Sequence, residues 1–94
     1  MSISAKIEIP IEGIKTVNTT STKLQVTLTD GREISVPLKW YPRLHRASPQ
    51  QRANYRLIGN GTGIHWPDVD EDLDLEGILG GYPSPEYKRR KRSR

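Results

Sequence analysis

Between positions 55 and 66 the chain reads Tyr-Arg-Leu-Ile-Gly-Asn-Gly-Thr-Gly-Ile-His-Trp. Asn-Gly is the favoured two-residue turn of an antiparallel hairpin, because both central positions need positive φ, which asparagine tolerates and glycine adopts freely. A turn on Asn60-Gly61 pairs Leu57 with Ile64 and Tyr55 with Trp66 on one face, and Arg56 with His65 and Ile58 with Gly63 on the other. The first set is apolar and is predicted to face the core, sending Trp66 inward and His65 outward beside Arg56. Aromatic and aliphatic cross-strand pairs of this kind contribute up to about 1 kcal/mol each. A chain built around this hairpin is committed to an antiparallel sheet.

A second hairpin lies upstream. Leu24, Val26 and Leu28 alternate with polar residues, as do Ile34 and Val36, with Asp30-Gly31 between them. A two-residue turn here would place polar and apolar side chains on the same face, which a half-buried sheet resists. A three-residue loop, Thr29-Asp30-Gly31, pairs Val26 with Ile34 and Leu24 with Val36, and puts Gly31 in the left-handed position of a type I turn plus bulge. Ile14 to Asn18 is a weaker strand candidate. Ile7, Ile9 and Ile11 also alternate, with Pro10 confining that segment to a sheet edge or breaking it.

Helical signals are short. Pro42 suits a first helical position within the irregular stretch from Leu38 to Ala47. Ser48-Pro49-Gln50-Gln51 has the form of a capping box that opens a helix running to about Asn54. Asp74 can cap a helix from Leu75 to Leu79, which Gly80-Gly81 stops. These signals predict one α+β domain over residues 1–82: a small antiparallel sheet of four or five strands with short helices on one face. Residues 83–94 are predicted to be a disordered basic tail.

Charge is segregated along the 94 residues. The formal net charge is +4, but Lys88, Arg89, Arg90, Lys91, Arg92 and Arg94 carry six positive charges, leaving a body of about −2. From Ile34 to Pro67 there are Lys39, Arg43, Arg46, Arg52 and Arg56 and no acid; from Asp68 to Glu76 there are six acids and no base. The absence of cysteine excludes disulfides within the chain, thiolate metal sites and cysteine nucleophiles. Met1 to Pro10 has no continuous apolar run, so no signal peptide is predicted, and no window approaches the roughly 20 apolar residues of a spanning helix. The expectation is a cytoplasmic protein.

Four stretches carry a family resemblance: Leu28-Thr29-Asp30-Gly31-Arg32, Val36-Pro37-Leu38, Trp40-Tyr41-Pro42-Arg43-Leu44, and Ile64-His65-Trp66-Pro67 running into Asp70-Glu71-Asp72-Leu73. Over roughly two-thirds of its length, from Leu24 to Gly80, the chain resembles a small bacterial family of unknown function whose members are often encoded beside small toxins and are sometimes labelled antitoxin-like. The resemblance implies a compact α+β domain with an antiparallel sheet and implies no catalytic residues. The basic tail lies outside it.

Candidate chemistry is sparse. Asp68, Asp70 and Asp72 alternate as the first ligands of a calcium loop do, but Leu73 stands where a glycine is needed and Leu79 where the distal glutamate belongs. They read as a solvated acidic loop favouring the helix that follows. His65 has no serine or cysteine constellation around it. Gly59-Asn60-Gly61-Thr62-Gly63 has the composition of a phosphate loop without its lysine and helix. No cofactor, metal, small-molecule substrate or catalytic role is therefore predicted. The expected function is a protein-interaction module, antitoxin-like, meeting a small toxin or a second copy of itself. Its expected contacts are Trp40, Tyr41, Arg43, Arg46, Arg52, Arg56, His65, Asp68, Asp70 and Asp72. Of Trp40 and Tyr41, which adjoin Pro42 and whose side chains diverge, one is expected to be exposed. The alternative is a nucleic-acid-binding protein gripping phosphates with the arginine face and the tail residues Lys88, Arg89, Arg90, Lys91, Arg92 and Arg94.

Overall fold

A computed structural model describes the backbone of residues 13–92 and the side chains as far as Lys88. The Ile7–Ile11 segment and Arg94 lie outside the described residues.

The two hairpins have the registers that their side-chain alternation requires. β2 (Lys23–Leu28) and β3 (Glu33–Pro37) pair Leu24 with Val36 and Val26 with Ile34. Gly31 has φ 97° and its N–H donates to the Leu28 carbonyl at 3.0 Å, closing the three-residue loop. Asp30 stabilises that loop by accepting from the Arg32 N–H at 3.0 Å and pairing with its Nε at 2.8 Å. β4 (Arg56–Ile58) and β5 (Gly63–Trp66) pair Arg56 with His65, Leu57 with Ile64 and Ile58 with Gly63. Asn60 and Gly61 both have positive φ, 57° and 86°, and the Thr62 N–H donates to the Gly59 carbonyl at 3.2 Å.

The strands do not form the single sheet of four or five that alternation suggested. Among the described residues six strands form two three-stranded antiparallel sheets, β1-β2-β3 and β4-β5-β6. β1 (Ile14–Thr19) pairs with β2 through a bulge at Lys15, which puts Ile14 and Val17 on the buried side although they are three residues apart. β6 (Glu71–Asp74) occupies sequence expected to be a loop: Glu71 pairs with Trp66, Asp72 with His65, Leu73 with Ile64 and Asp74 with Gly63. The four-residue turn before it is shaped by Asp70 at φ 53°.

Between the sheets the chain makes a short 3-10 turn (Leu38–Trp40) and the helices α1 (Pro42–His45) and α2 (Pro49–Ala53). In α2 the Ser48 side chain accepts from the Gln51 N–H while the Gln51 side chain accepts from the Ser48 N–H, a complete capping box. α3 (Leu75–Gly80) is capped by Asp74, whose carboxylate accepts from the Gly77 N–H at 2.7 Å, and ends at Gly81 with φ 76°.

Residues 85–92, for which composition predicts disorder, form α4 (Pro85–Arg92). Ser84 caps its start, its side chain and carbonyl both accepting from the Tyr87 N–H. No helix among the described residues is long and apolar enough to cross a membrane.

The two sheets share one core. Trp66, Tyr41, Leu24, Leu28, Leu38, Leu44, Ile64, Leu75 and Val26 are all sealed from solvent. Full burial of one such aliphatic side chain is worth roughly 1.5–3 kcal/mol. Trp66 also satisfies its indole N–H, which donates to the Arg52 carbonyl at the end of α2 at 3.0 Å. Leu57, expected on the core face, is 38% exposed on β4, a three-residue strand at the sheet edge.

Candidate interaction site

Alternation along β4, β5 and β6 sorts their side chains onto two faces. Ile64 and Trp66 point inward. Arg56, His65 and Asp72 form one cross-strand row outward, with Ile58, Gly63 and Asp74 in the next row. His65 lies against Asp72; a carboxylate only accepts, so Nδ1 carries the proton of that hydrogen bond. His65 is partly shielded at 23% side-chain exposure while Asp72 is open at 66%. Ile58, at 42% exposed, lies over Gly63, where a Cβ would come within 3.0 Å of its Cγ1. Ile58 is thus a large apolar side chain beside a row of charge, while Leu57, in register with Ile64, belongs to the other face.

The arginines do not form a common face. Arg43 donates to the Asp70 carbonyl at 2.8 Å and lies 3.7 Å from Glu86, and Arg46 lies 3.5 Å from the other oxygen of that carboxylate. Arg52 turns inward, donating to the Ala47 carbonyl at 2.6 Å and to the Thr19 hydroxyl at 3.2 Å. Arg56 belongs to the sheet row. Asp68 accepts from the Asn54 amide at 3.1 Å. Trp40 is half-buried against the core, and its carbonyl accepts from the Ser84 N–H at 3.1 Å. Of the pair preceding Pro42, Tyr41 is the buried one, at 1% exposure. Lys88 is exposed on α4, which also carries Arg89, Arg90, Lys91 and Arg92. Asp68 and Asp70 sit in the turn and Asp72 on β6, and no three metal-ligating side chains among the described residues converge on one point.

The structure brings together residues that sequence reasoning kept apart. A cavity of about 200 Å³ lies between β6, α3 and the segment 82–85, lined by Tyr41, Glu71, Asp74, Tyr82 and Ser84 among others. The Tyr41 hydroxyl is buried from solvent and has no hydrogen-bond partner among the described residues. Burial pushes its pKa up to about 12, and the negative charges of Glu71 and Asp74 add to the rise. Burial likewise holds the Glu71 carboxyl above its ordinary value against the pull of Arg43, with Glu86, Asp72 and Asp70 reinforcing it. An open cleft of about 460 Å³ adjoins this cavity, bordered by Arg43, Asp70, Glu71, Asp72 and Glu86. Glu71, Tyr82 and Glu86 were missed as site residues. Glu71 stands within the acidic segment 68–76 expected to meet a partner, but Glu-Asp-Leu-Asp has poor strand propensity, and no local pattern marks Tyr82 or Glu86. A cleft of about 620 Å³ lies elsewhere, between β1 and α2; its ionisable groups, Arg52 and Tyr55, are both engaged by hydrogen bonds.

Two solved structures share this fold. A crystal structure of a protein of unknown function from Rhodospirillum rubrum superposes with a TM-score of 0.68 at 26% identity, covering 79% of this chain and 92% of that one. A solution structure of an uncharacterised protein from Chromobacterium violaceum gives 0.69 at 20% identity, covering 85% and 76%. No curated protein matches the chain. The family model described as protein of unknown function (DUF2442) matches residues 14–84, a span that takes in all six strands, α1 to α3 and the wall of the cavity as far as Ser84. The chain belongs to the DUF2442 family of proteins of unknown function.

Proposed function

We propose that this domain is a non-enzymatic protein-interaction module that acts in the cytoplasm as the antitoxin-like partner of a small bacterial toxin. The observation that supports this reading is the outward face of β4-β5-β6. There the Arg56–His65–Asp72 row stands beside Ile58, exposed at 42%, on a sheet whose edge strand β4 is paired on one side only and carries Leu57, exposed at 38%, on its other face. Apolar anchors beside charge, at an open strand edge, suit recognition of a second polypeptide. The resemblance to antitoxin-like proteins names the kind of partner.

The test is co-expression with the product of the adjacent gene. The expected result is a complex that survives size-exclusion chromatography and is weakened about ten-fold by Asp72→Lys, as a contact governed by charge complementarity requires. The reading fails if neither neighbouring gene encodes a toxin-like protein and purification recovers no partner.

A second reading, nucleic-acid binding, is favoured by one observation: α4 carries five consecutive basic residues, Lys88 to Arg92. The arginine face that would assist it is reduced, since Arg43, Arg46 and Arg52 are engaged within the domain. Titration with duplex DNA at two salt concentrations separates the cases. Binding that survives replacement of the tail cations by glutamine, with a steep salt slope, supports a nucleic-acid site on the body; binding lost with them is sequence-independent charge attraction.

A further inference from the structure

We infer that the outer edge of β3 is where two copies of this chain meet. Each lays its β3 antiparallel to the other about Ser35, so that two three-stranded sheets join into one of six strands. The pairing uses nothing on the β4-β5-β6 face, so it stands or falls separately from the antitoxin-like reading.

Along an antiparallel strand, backbone groups alternate between facing the neighbouring strand and facing away from it. The Leu28 N–H donates to the Arg32 carbonyl at 2.8 Å and the Leu38 N–H to the Thr22 carbonyl at 2.9 Å. The pairs between them in the same phase, Val26–Ile34 and Leu24–Val36, therefore carry the β2–β3 ladder. Glu33, Ser35 and Pro37 turn their backbone groups outward, and among the described residues no strand takes them up. The other sheet edges are closed or guarded. On β1 the Tyr55 hydroxyl takes the Val17 N–H and Arg52 holds the Thr19 hydroxyl. Three of the four residues of β6 are acids, and β4 is three residues long. β3 is uncharged at its centre, so its edge lacks the charge that commonly keeps strands from pairing. Its one acid and its one proline stand at opposite ends, and a two-fold pairing brings those ends together.

Pairing about Ser35 sets each Glu33 opposite Pro37 of the second copy. The two Ser35 residues exchange both their hydrogen bonds, and each Glu33 N–H donates to the opposing Pro37 carbonyl. The missing proline N–H is met by a Glu33 carbonyl that stays in water. Charge fixes this register. On the exposed face Lys23 is the β2 neighbour of Pro37, so the row continues from Lys23 across Pro37 to Glu33 of the second copy. With strands roughly 5 Å apart, Lys23 and that Glu33 are about 10 Å apart at the backbone, a span their long side chains bridge over the proline ring. Neither has an ion-pair partner in its own chain among the described residues, and symmetry makes the contact twice. A register opposing Ile34 to Ile34 would instead move Glu33 away from Lys23 and towards the other Glu33. On the buried face Ile34 meets Val36 of the second copy in the closely spaced kind of pair. Ile34 is only half-buried at the margin of the core, and the second copy covers it. Because both copies use the same edge, the assembly closes at two.

The test is sedimentation equilibrium of the full chain from low micromolar to millimolar concentration, with amide exchange and with interchain NOEs on mixed labelled and unlabelled chains. A monomer–dimer equilibrium is expected. NOEs should link the Hα protons of Ile34 and Val36 in different chains, and the Ser35 amide should be protected at high concentration and lose that protection on dilution. Ser35→Pro removes an N–H that faces away from β2, so it should keep the fold by circular dichroism and abolish the dimer. Glu33→Lys should weaken association about ten-fold or more, and adding Lys23→Glu to it should restore association, as opposed charges across the ladder require. A single chain at every concentration overturns the proposal, and so does a dimer indifferent to both Ser35→Pro and Glu33→Lys. Ser35 protection that persists on dilution would assign the edge to another segment of the same chain and overturn self-pairing. Protection that appears only with a toxin-like partner would assign the edge to that partner, so that self-pairing falls while the antitoxin-like reading stands.

Discussion

The Tyr55 hydroxyl accepts a hydrogen bond from the Val17 N–H at 3.1 Å, so a side chain at the start of one sheet takes the place of a neighbouring strand on the edge of the other. Tyr55→Phe leaves that part-buried N–H unpaired, at a cost of about 1–3 kcal/mol. Urea unfolding should show a lower midpoint with an unchanged m-value, and amide exchange at Val17 should quicken more than at Val26 on the central strand.

The capping box at Ser48 has consequences beyond its own helix. It holds α2 in place, and the Arg52 carbonyl at the end of α2 accepts the Trp66 indole N–H. Ser48→Ala should destabilise the domain by about 1 kcal/mol. Because the helix orients that acceptor, the Trp66 emission spectrum should change in the native state, whereas loss of the cap alone would leave it untouched.

Glu71 makes stability depend on pH in a definite direction. Its folded pKa is raised above the unfolded value, so the folded state holds the proton more tightly, and this favours folding below the unfolded pKa. The advantage is lost as pH rises through the folded value. Glu71→Gln should therefore flatten the stability profile above the ordinary glutamate range and leave the variant more stable than the unaltered chain at neutral pH. Tyr41, raised from 10 to about 12, adds a second decline at the alkaline end: stability falls from pH 10 towards 12 and does not in Tyr41→Phe. Chemical denaturation at a series of pH values reads both.

Glu86 sits between Arg43 and Arg46 and fastens the start of α4 to α1. These pairs are open to solvent, so Glu86→Gln should change global stability by less than about 1 kcal/mol. Locally the effect is larger. Amide exchange at Tyr87 and Lys88 should quicken while the core strands are unaffected, and added salt should reproduce the result in the unaltered chain.

Some elements were legible because their determinants are close in sequence. Asn60-Gly61 can close only a tight turn, and the alternation on either side of it admits one register. The same holds for Gly31 and the β2–β3 pairing, and for the caps at Ser48 and Asp74. β1 was faint because the bulge at Lys15 breaks the period of two, so Ile14 and Val17 do not read as one face. β6 was read as loop because three of its four residues are acids, and acids are poor strand formers. It becomes a strand because β5 offers it a ladder, Leu73 packs against the core, and Arg43 binds the Asp70 carbonyl at the turn.

The site divides in the same way. The outward row of Arg56 and His65 follows from the hairpin register alone, and only its third member, Asp72, required the third strand. Tyr41 is thirty residues from Glu71 and forty-one from Tyr82, and no local pattern links them. The sequence by itself determined turn geometry, register and helix caps, because φ preferences, side-chain alternation and capping act within a few residues. Only the tertiary structure decided that the strands divide into two sheets, that Arg43, Arg46 and Arg52 are engaged by Glu86, backbone carbonyls and the Thr19 hydroxyl, and that the Tyr41 hydroxyl is buried without a partner among the described residues. Those outcomes depend on which distant groups compete for the same small core, and that competition is settled by packing the whole chain at once.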